Sequence, residues 1–130
     1  MVRKAVVGVV NYNGKVLVGK KKQYSNHFLS EKWHVPGETL EEGESFEEAL
    51  VRGMLEGVGI SVRVGKCLGE HETTTHKLVK WYECFSDTDD VHAGSDLQEV
   101  RWVSKEEVLD ICSERAIGLW PSEIVGYFKN

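Results

Sequence analysis

No apolar run in this chain approaches the roughly 18 residues that a membrane-spanning helix needs. Residues 5–10 are hydrophobic but too few for a signal-peptide core with a cleavage site. Basic charge is also scarce. The 16 Lys and Arg stand against 21 Asp and Glu, a net charge of -5, and Lys20–Lys22 is the sole basic run. That balance argues against nucleic acid as a non-specific partner. The three cysteines, Cys67, Cys84 and Cys112, are far apart and form no C-x-x-C pair, so neither a zinc site nor a redox motif is expected. They read as reduced thiols of a cytoplasmic protein. The sequence also lacks G-x-S-x-G, a Walker loop, G-x-G-x-x-G, internal repeats, low-complexity segments and linkers. At 130 residues, with an ordinary composition, residues 1–130 are expected to form one domain with no membrane partner.

What is present concentrates between Trp33 and Ile60: W-H-V-P-G-E-T-L-E-E-G-E-S-F-E-E-A-L-V-R-G-M-L-E-G-V-G-I. It reads as a short strand, a glycine-turned loop and one amphipathic helix. Ser45 with Glu48 three residues on is a capping box. At 100° per residue, Phe46, Leu50, Val51, Met54 and Val58 share an apolar face, and Glu48, Arg52 and Glu56 form an i, i+4 ladder on the other. Gly53 and Gly57 lie between the faces. Each costs about 1 kcal/mol relative to Ala in a helix interior. With Ala49 they form a small-residue stripe that either lets another element pack closely or makes room for a ligand. The caps and periodicity persist around them, so both are expected to be helical, with Gly59 as the stop.

The same stretch resembles the Nudix box of the MutT-like hydrolases: Gly, five residues, Glu, seven residues, then Arg-Glu-aliphatic-any-Glu-Glu-any-Gly-aliphatic. Glu44, Arg52, Met54, Glu56, Gly59 and Ile60 match without insertion, and Trp33, Pro36 and Gly37 supply a similar lead-in. Glu38 stands where the pattern has its first Gly, and Gly53 and Gly57 replace glutamates. The resemblance implies an α/β fold, a Nudix-type α/β/α sandwich with a mixed central sheet. It implies that Glu44 and Arg52 tie the loop to the helix. It also implies metal-dependent hydrolysis of a nucleoside diphosphate linked to another moiety.

That chemistry needs charge neutralisation on phosphate oxygens and an activated water, which magnesium or manganese held by carboxylates supplies. Positions 53, 56 and 57 share one side of the helix, and there only Glu56 keeps a carboxylate. A weakly held Mg2+ or Mn2+ and impaired or altered turnover are therefore expected, with Glu56 as the main ligand. Further oxygens could come from the Gly37 carbonyl, from Glu38, Glu41 or Glu42 in the loop, or from Asp96 or Glu99 further on. Glu56 and Glu99 are the candidate catalytic carboxylates. Glu38, Glu41 and Glu42 read first as solvated loop charge, with the ligand role second. The alternatives are a nucleotide-binding or regulatory module without turnover, and a protein-binding scaffold that uses the small-residue side of the helix.

Along the rest of the chain, residues 2–10 and 15–19 read as strands joined at Asn13-Gly14. A polar loop spans residues 20–32. The resemblance implies that Lys20 or Lys21, at the end of the second strand, meets a substrate phosphate; a plain charged strand end is the other reading. Residues 60–71, 76–86 and 96–103 read as strands. Ser104 with Glu107 is a second capping box, opening a helix to about Cys112. Pro121 suits the start of a closing helix. His71 and His76 could face each other across a hairpin, but no third ligand with zinc spacing accompanies them. By the resemblance, His27, His76 or His92 could act as an alternative base. Most of the four tryptophans read as core anchors. Trp120 is the candidate for stacking on a nucleobase, with Tyr24 and Phe28 behind it. No proline follows the box where ADP-ribose hydrolysing members often carry one. The partner is expected to be a small nucleotide-type molecule.

Overall fold

A computed structural model of the protein describes residues 3–22, 32–94 and 97–129. Strand β1 (Arg3–Tyr12) turns at Asn13 and Gly14 into β2 (Lys15–Lys21). Both turn residues have positive φ, 47° and 75°, the requirement of a type I′ hairpin turn, which Asn-Gly meets at little cost. The hairpin pairs only near its tip, at Asn11↔Val16 and Tyr12↔Lys15. Beyond it β2 diverges, and β4 (Gly37–Thr39) pairs with β1 in its place through Ala5↔Thr39, Val6↔Glu38 and Val7↔Gly37.

The remaining strands are β3 (Trp33–His34), β5 (Arg63–Glu72), β6 (Lys77–Phe85) and β7 (Leu97–Ser104). The seven-stranded sheet runs β3-β2-β1-β6-β5, with β4 on β1 and β7 on β2. The β1–β6 pair is parallel and the others are antiparallel. The sheet is therefore mixed.

Helix α1 (Phe46–Val58) covers one face. Its box is complete: Glu48 N donates to Ser45 Oγ at 3.0 Å, and Ser45 N to Glu48 Oε1 at 2.9 Å. Gly53 and Gly57 are helical, and Gly59 closes the helix in the left-handed region at φ 76°. Ala49, Leu50, Met54 and Val58 pack on Val6, Val10, Leu17, Tyr82 and Cys84. Val51 does not belong to this stripe. It is 39% exposed, and Leu55, one turn on, is 56% exposed. The buried side turns towards Ala49 because the sheet, not the apolar count, sets which side is covered.

The opposite sheet face buries Val9, Val16, Val18, Val79 and Trp81 under α2 (Val108–Ile111) and α4 (Ser122–Lys129), chiefly through Val108, Ile124 and Phe128. Helices on both faces complete an α/β/α sandwich, as the box implied.

Local details depart from expectation for physical reasons. β5 begins at Arg63 rather than residue 60. Ile60 N continues the α1 cap by donating to Met54 O, and Ile60 and Val62 are buried against α1 instead of joining the ladder. His76 is not in a strand: it takes φ 61° in the β5–β6 turn. Ser104 and Glu107 make their reciprocal bonds, yet residues 105–107 form a turn and α2 starts only at Val108. A short α3 (Glu114–Ile117), capped by Ser113, precedes Pro121.

Candidate functional site

Residues 39–44 are gathered onto α1 by a single guanidinium. Arg52 grips Glu44 in two parallel bonds, Nε to Oε2 at 2.7 Å and Nη2 to Oε1 at 2.9 Å. Nη2 also donates to the Thr39 carbonyl at 3.1 Å, and Nη1 donates to Glu56 Oε1 at 3.1 Å. Glu41 and Glu38 complete the set at 3.3 and 3.8 Å. The loop can fold back this tightly because Gly43 takes φ 80°, and because Glu41 N donates to Glu44 Oε1.

The fork geometry matters because bidentate, charge-assisted bonds are the strong ones. It holds the Glu44 carboxyl down at about 2 against an ordinary 4.5, with Arg52 the leading cause, and it pushes Arg52 further up. A carboxyl lowered on folding adds stability above its unfolded pKa, and that stability drains as pH falls. The wild type is therefore expected to lose stability from about pH 4.5 towards about pH 2. Glu44→Gln should flatten this acid limb, read as melting temperature against pH. An unchanged limb would mean that the pair does not set acid sensitivity.

Beside this pair lies a cleft. One wall is α1, presenting Leu50, Gly53, Met54, Gly57 and Val58; the other is the segment His34–Glu38, with Lys21 and Leu97 at the end. Only about 30 Å³ of it is open to water, far below the roughly 300 Å³ at which small-molecule pockets begin. It suits a phosphoryl group or an ion, not a whole nucleotide.

The two glycines differ. A Cβ on Gly53 would lie 2.7 Å from Glu38 Cβ, whereas one on Gly57 would meet nothing among the described residues within 4 Å. Of the stripe, Gly53 and Gly57 line the cleft and Ala49 is buried in the core beneath α1.

The C-terminal end of α1 is closed from outside. Its last carbonyls need partners. Gly94 N donates to Gly57 O at 2.8 Å, and His92 N to Val58 O at 3.1 Å. A Cβ on Gly94 would stand 2.5 Å from Glu56 O, so only glycine allows this approach. The segment then delivers Leu97 into the cleft.

The expected site residues are only partly brought together. Gly37, Glu38 and Lys21 border the cleft, and Glu56 stands next to it, bonded to Arg52. Lys20 and Glu99 are directly paired across β2 and β7, in the register row of Val18↔Arg101, on the sheet face away from α1. Lys21 shares the parity of Leu17 and so points to the α1 side by plain alternation, while the bulge places its extra residue, Gln98, on β7 and brings Leu97 to that same side. Glu99 is thus separated from Glu56 by the sheet and pairs with Arg101 at 3.1 Å; the structure does not place it as a second catalytic carboxylate.

Glu42 is exposed and away from the cleft. His71 and His76 do not face each other: His71 is in register with Val79 and takes the Trp81 indole N–H at 3.4 Å, while His76 approaches Glu72. The ring of His92 covers Gly59. Tyr24, His27, Phe28 and Asp96 lie outside the described residues.

Trp120 lines a second cavity, about 180 Å³, on the face away from α1, together with Val35, His71, Val79 and Trp81. It meets Trp81 edge-on at 5.2 Å between centroids and leans on Phe128 at 5.7 Å. His34 borders both this cavity and the cleft. Sequence reasoning passed over His34; its place in the W-H-V-P-G lead-in was the available signal.

Among the described residues no three His, Cys, Asp or Glu side chains converge as a metal-ligand set. Two carboxylates near the cleft do fit a magnesium ion that arrives with phosphates and keeps waters; they do not fit a preformed protein cage.

A mixed sheet between helices, with a loop clamped to the first helix by an Arg–Glu fork, defines a class of α/β domain. The NUDIX domain family model matches residues 2–121, and the chain belongs to that family. The fold is shared with a NUDIX hydrolase from Nitrosomonas europaea, 18% identical over 98% of this chain and 70% of that one, TM-score 0.80. It is also shared with a MutT protein from Methanosarcina mazei Go1, 24% identical over 98% of this chain and 90% of that one, TM-score 0.72. An ADP-ribose pyrophosphatase from Streptococcus suis is 13% identical over 98% and 90%, TM-score 0.73. Nudix hydrolases generally use divalent metals and act on small nucleotide-type substrates.

Proposed function

We propose that this domain binds a nucleoside diphosphate linked to another moiety and hydrolyses the linkage slowly. The observation that carries the reading is the phosphoryl-sized cleft between α1 and β4, with Lys21, Glu38 and the Gly37 backbone on its border. The ligand's phosphates would enter this cleft, where Lys21 supplies positive charge. Glu38, Glu56 and the Gly37 carbonyl are the oxygens that would hold Mg2+ or Mn2+. The ion, when bound, neutralises phosphate charge and lowers the pKa of a coordinated water. Arg52 keeps Glu56 and the loop in place while the ligand enters. Glycine at 53 and 57 removes negative charge from the helix wall, so turnover should fall well below that of a domain with the intact pattern.

A second reading, binding without turnover, is favoured by one contact. Glu56, the carboxylate kept on that helix side, is bonded to Arg52. Incubation with nucleoside triphosphates, dinucleotides and sugar nucleotides, with Mg2+ or Mn2+, separates the readings. Phosphate-ester products establish hydrolysis. Calorimetric binding without products establishes the second reading. Neither binding nor products would sink both.

A further inference from the structure

The structure points to an exchange of side chains across the cleft: we propose that Glu38 supplies, from β4, the carboxylate that the intact box carries on α1 at position 53. This rests on the hydrolytic reading above and deepens it.

The argument begins with register. β4 pairs with β1 so that Glu38 is opposite Val6, and Val6 belongs to the core beneath α1. Strand alternation therefore sends Glu38 towards the helix. Gly37 keeps this register because a Cβ there would lie 2.8 Å from Val6 O.

Glu38 then fills the space over Gly53. A Cβ on Gly53 would lie 2.7 Å from Glu38 Cβ, 3.0 Å from Cγ and 3.2 Å from Oε2. The carboxyl end reaches the very place from which a side chain at 53 would start. Residues 38 and 53 cannot both carry long side chains without movement, and the box pattern has Gly at 38 and Glu at 53 where this chain has Glu38 and Gly53. The two departures are one reciprocal change.

The new carboxylate is held in position. Thr39 N donates to Oε1 at 3.1 Å, and Oε2 pairs with Arg52 Nη1 at 3.8 Å. The shorter Arg52 contacts go to Glu44, Glu56 and Thr39. At position 57 nothing among the described residues lies within 4 Å of a Cβ, so among them only the carboxylate of position 53 is relocated.

Four variants of the full chain test this, with MnCl2 alone as the probe, followed by water-proton relaxation and by melting temperature. Glu38→Gln keeps the volume and removes the charge. It should weaken Mn2+ about tenfold, the low end of what losing a metal-site partner costs, with little change in melting. Gly53→Glu alone should melt lower, because the two side chains collide. Glu38→Gly alone should bind Mn2+ as weakly as Glu38→Gln. The exchange variant Glu38→Gly/Gly53→Glu should recover both melting and Mn2+ affinity. Wild-type affinity in Glu38→Gln, no recovery in the exchange variant, or no measurable Mn2+ binding by the wild type would each overturn the proposal. Mn2+ held through Glu38 without hydrolysis of any nucleotide would sink the hydrolytic reading and leave this one standing. Hydrolysis undiminished in Glu38→Gln would do the reverse.

Discussion

Gly57→Glu is expected to fold, to bind Mg2+ at least about tenfold more tightly than the wild type, and to raise hydrolysis of the domain's nucleotide by about 100-fold. Three observations set this expectation. Among the described residues nothing lies within 4 Å of the new Cβ. Gly57 lines the cleft, so a side chain there enters it. Preorganised charge in a water-poor site is often the largest single catalytic effect, which is why one carboxylate is given orders of magnitude. Stability should change little without metal. Relief from a helix-interior glycine is worth about 1 kcal/mol, but a negative charge in the last turn of α1 opposes the helix dipole by about 0.3–1 kcal/mol. Adding Mg2+ should then raise the melting temperature of the variant more than that of the wild type. Calorimetric titration and a product assay check the claim. Unchanged metal affinity in a folded Gly57→Glu variant would show that the cleft is not where phosphate and metal meet.

The features legible in the sequence were those encoded within one helical turn or one hairpin. Ser45 and Glu48 are three residues apart, so their reciprocal bonds could be read directly. Asn13-Gly14 declared its turn because few other dipeptides accept two positive φ values. The Arg52–Glu44 fork spans eight residues and was legible only through the family pattern.

What escaped depends on pairing between distant segments. Whether Lys20 or Lys21 enters the cleft depends on which face of β2 the helix covers, and that is the Leu17 face. On β7 a bulge at Gln98 puts Leu97 on the α1 side and leaves Glu99 on the far face, since a one-residue shift reverses every side chain beyond it. Gly53 and Gly57 looked equivalent in sequence because the helix alone treats them alike. Glu38 separates them, and that contact requires β4 to be docked on β1. The closure of α1 by His92 and Gly94 likewise joins segments that no local pattern relates.

Arg52→Ala should be the most damaging single change to stability outside the core. The side chain is 25% exposed, so its bonds are partly screened and cannot be credited with a buried pair's full effect. Even so, a hydrogen bond to a charged group is worth about 1.5–3 kcal/mol, and Arg52 donates to two carboxylates and a carbonyl. A loss of about 2 kcal/mol is expected, equivalent to a drop of roughly 5–10 °C in melting temperature for a domain of this size.

The pH dependence should distinguish this from ordinary truncation. In the wild type, Glu44 is held at about 2, so acid removes stability. Arg52 is the leading cause of that depression, so without it the Glu44 carboxyl returns towards its ordinary value and the stability that acid would remove is no longer there to lose. The variant should therefore gain, relative to the wild type, as pH drops from about 4.5 towards about 2. Limited proteolysis should also cut residues 39–44 faster in the variant, because Thr39 and Glu44 lose their anchor. Parallel acid limbs in the two proteins would show that the Arg52–Glu44 fork does not set the acid sensitivity.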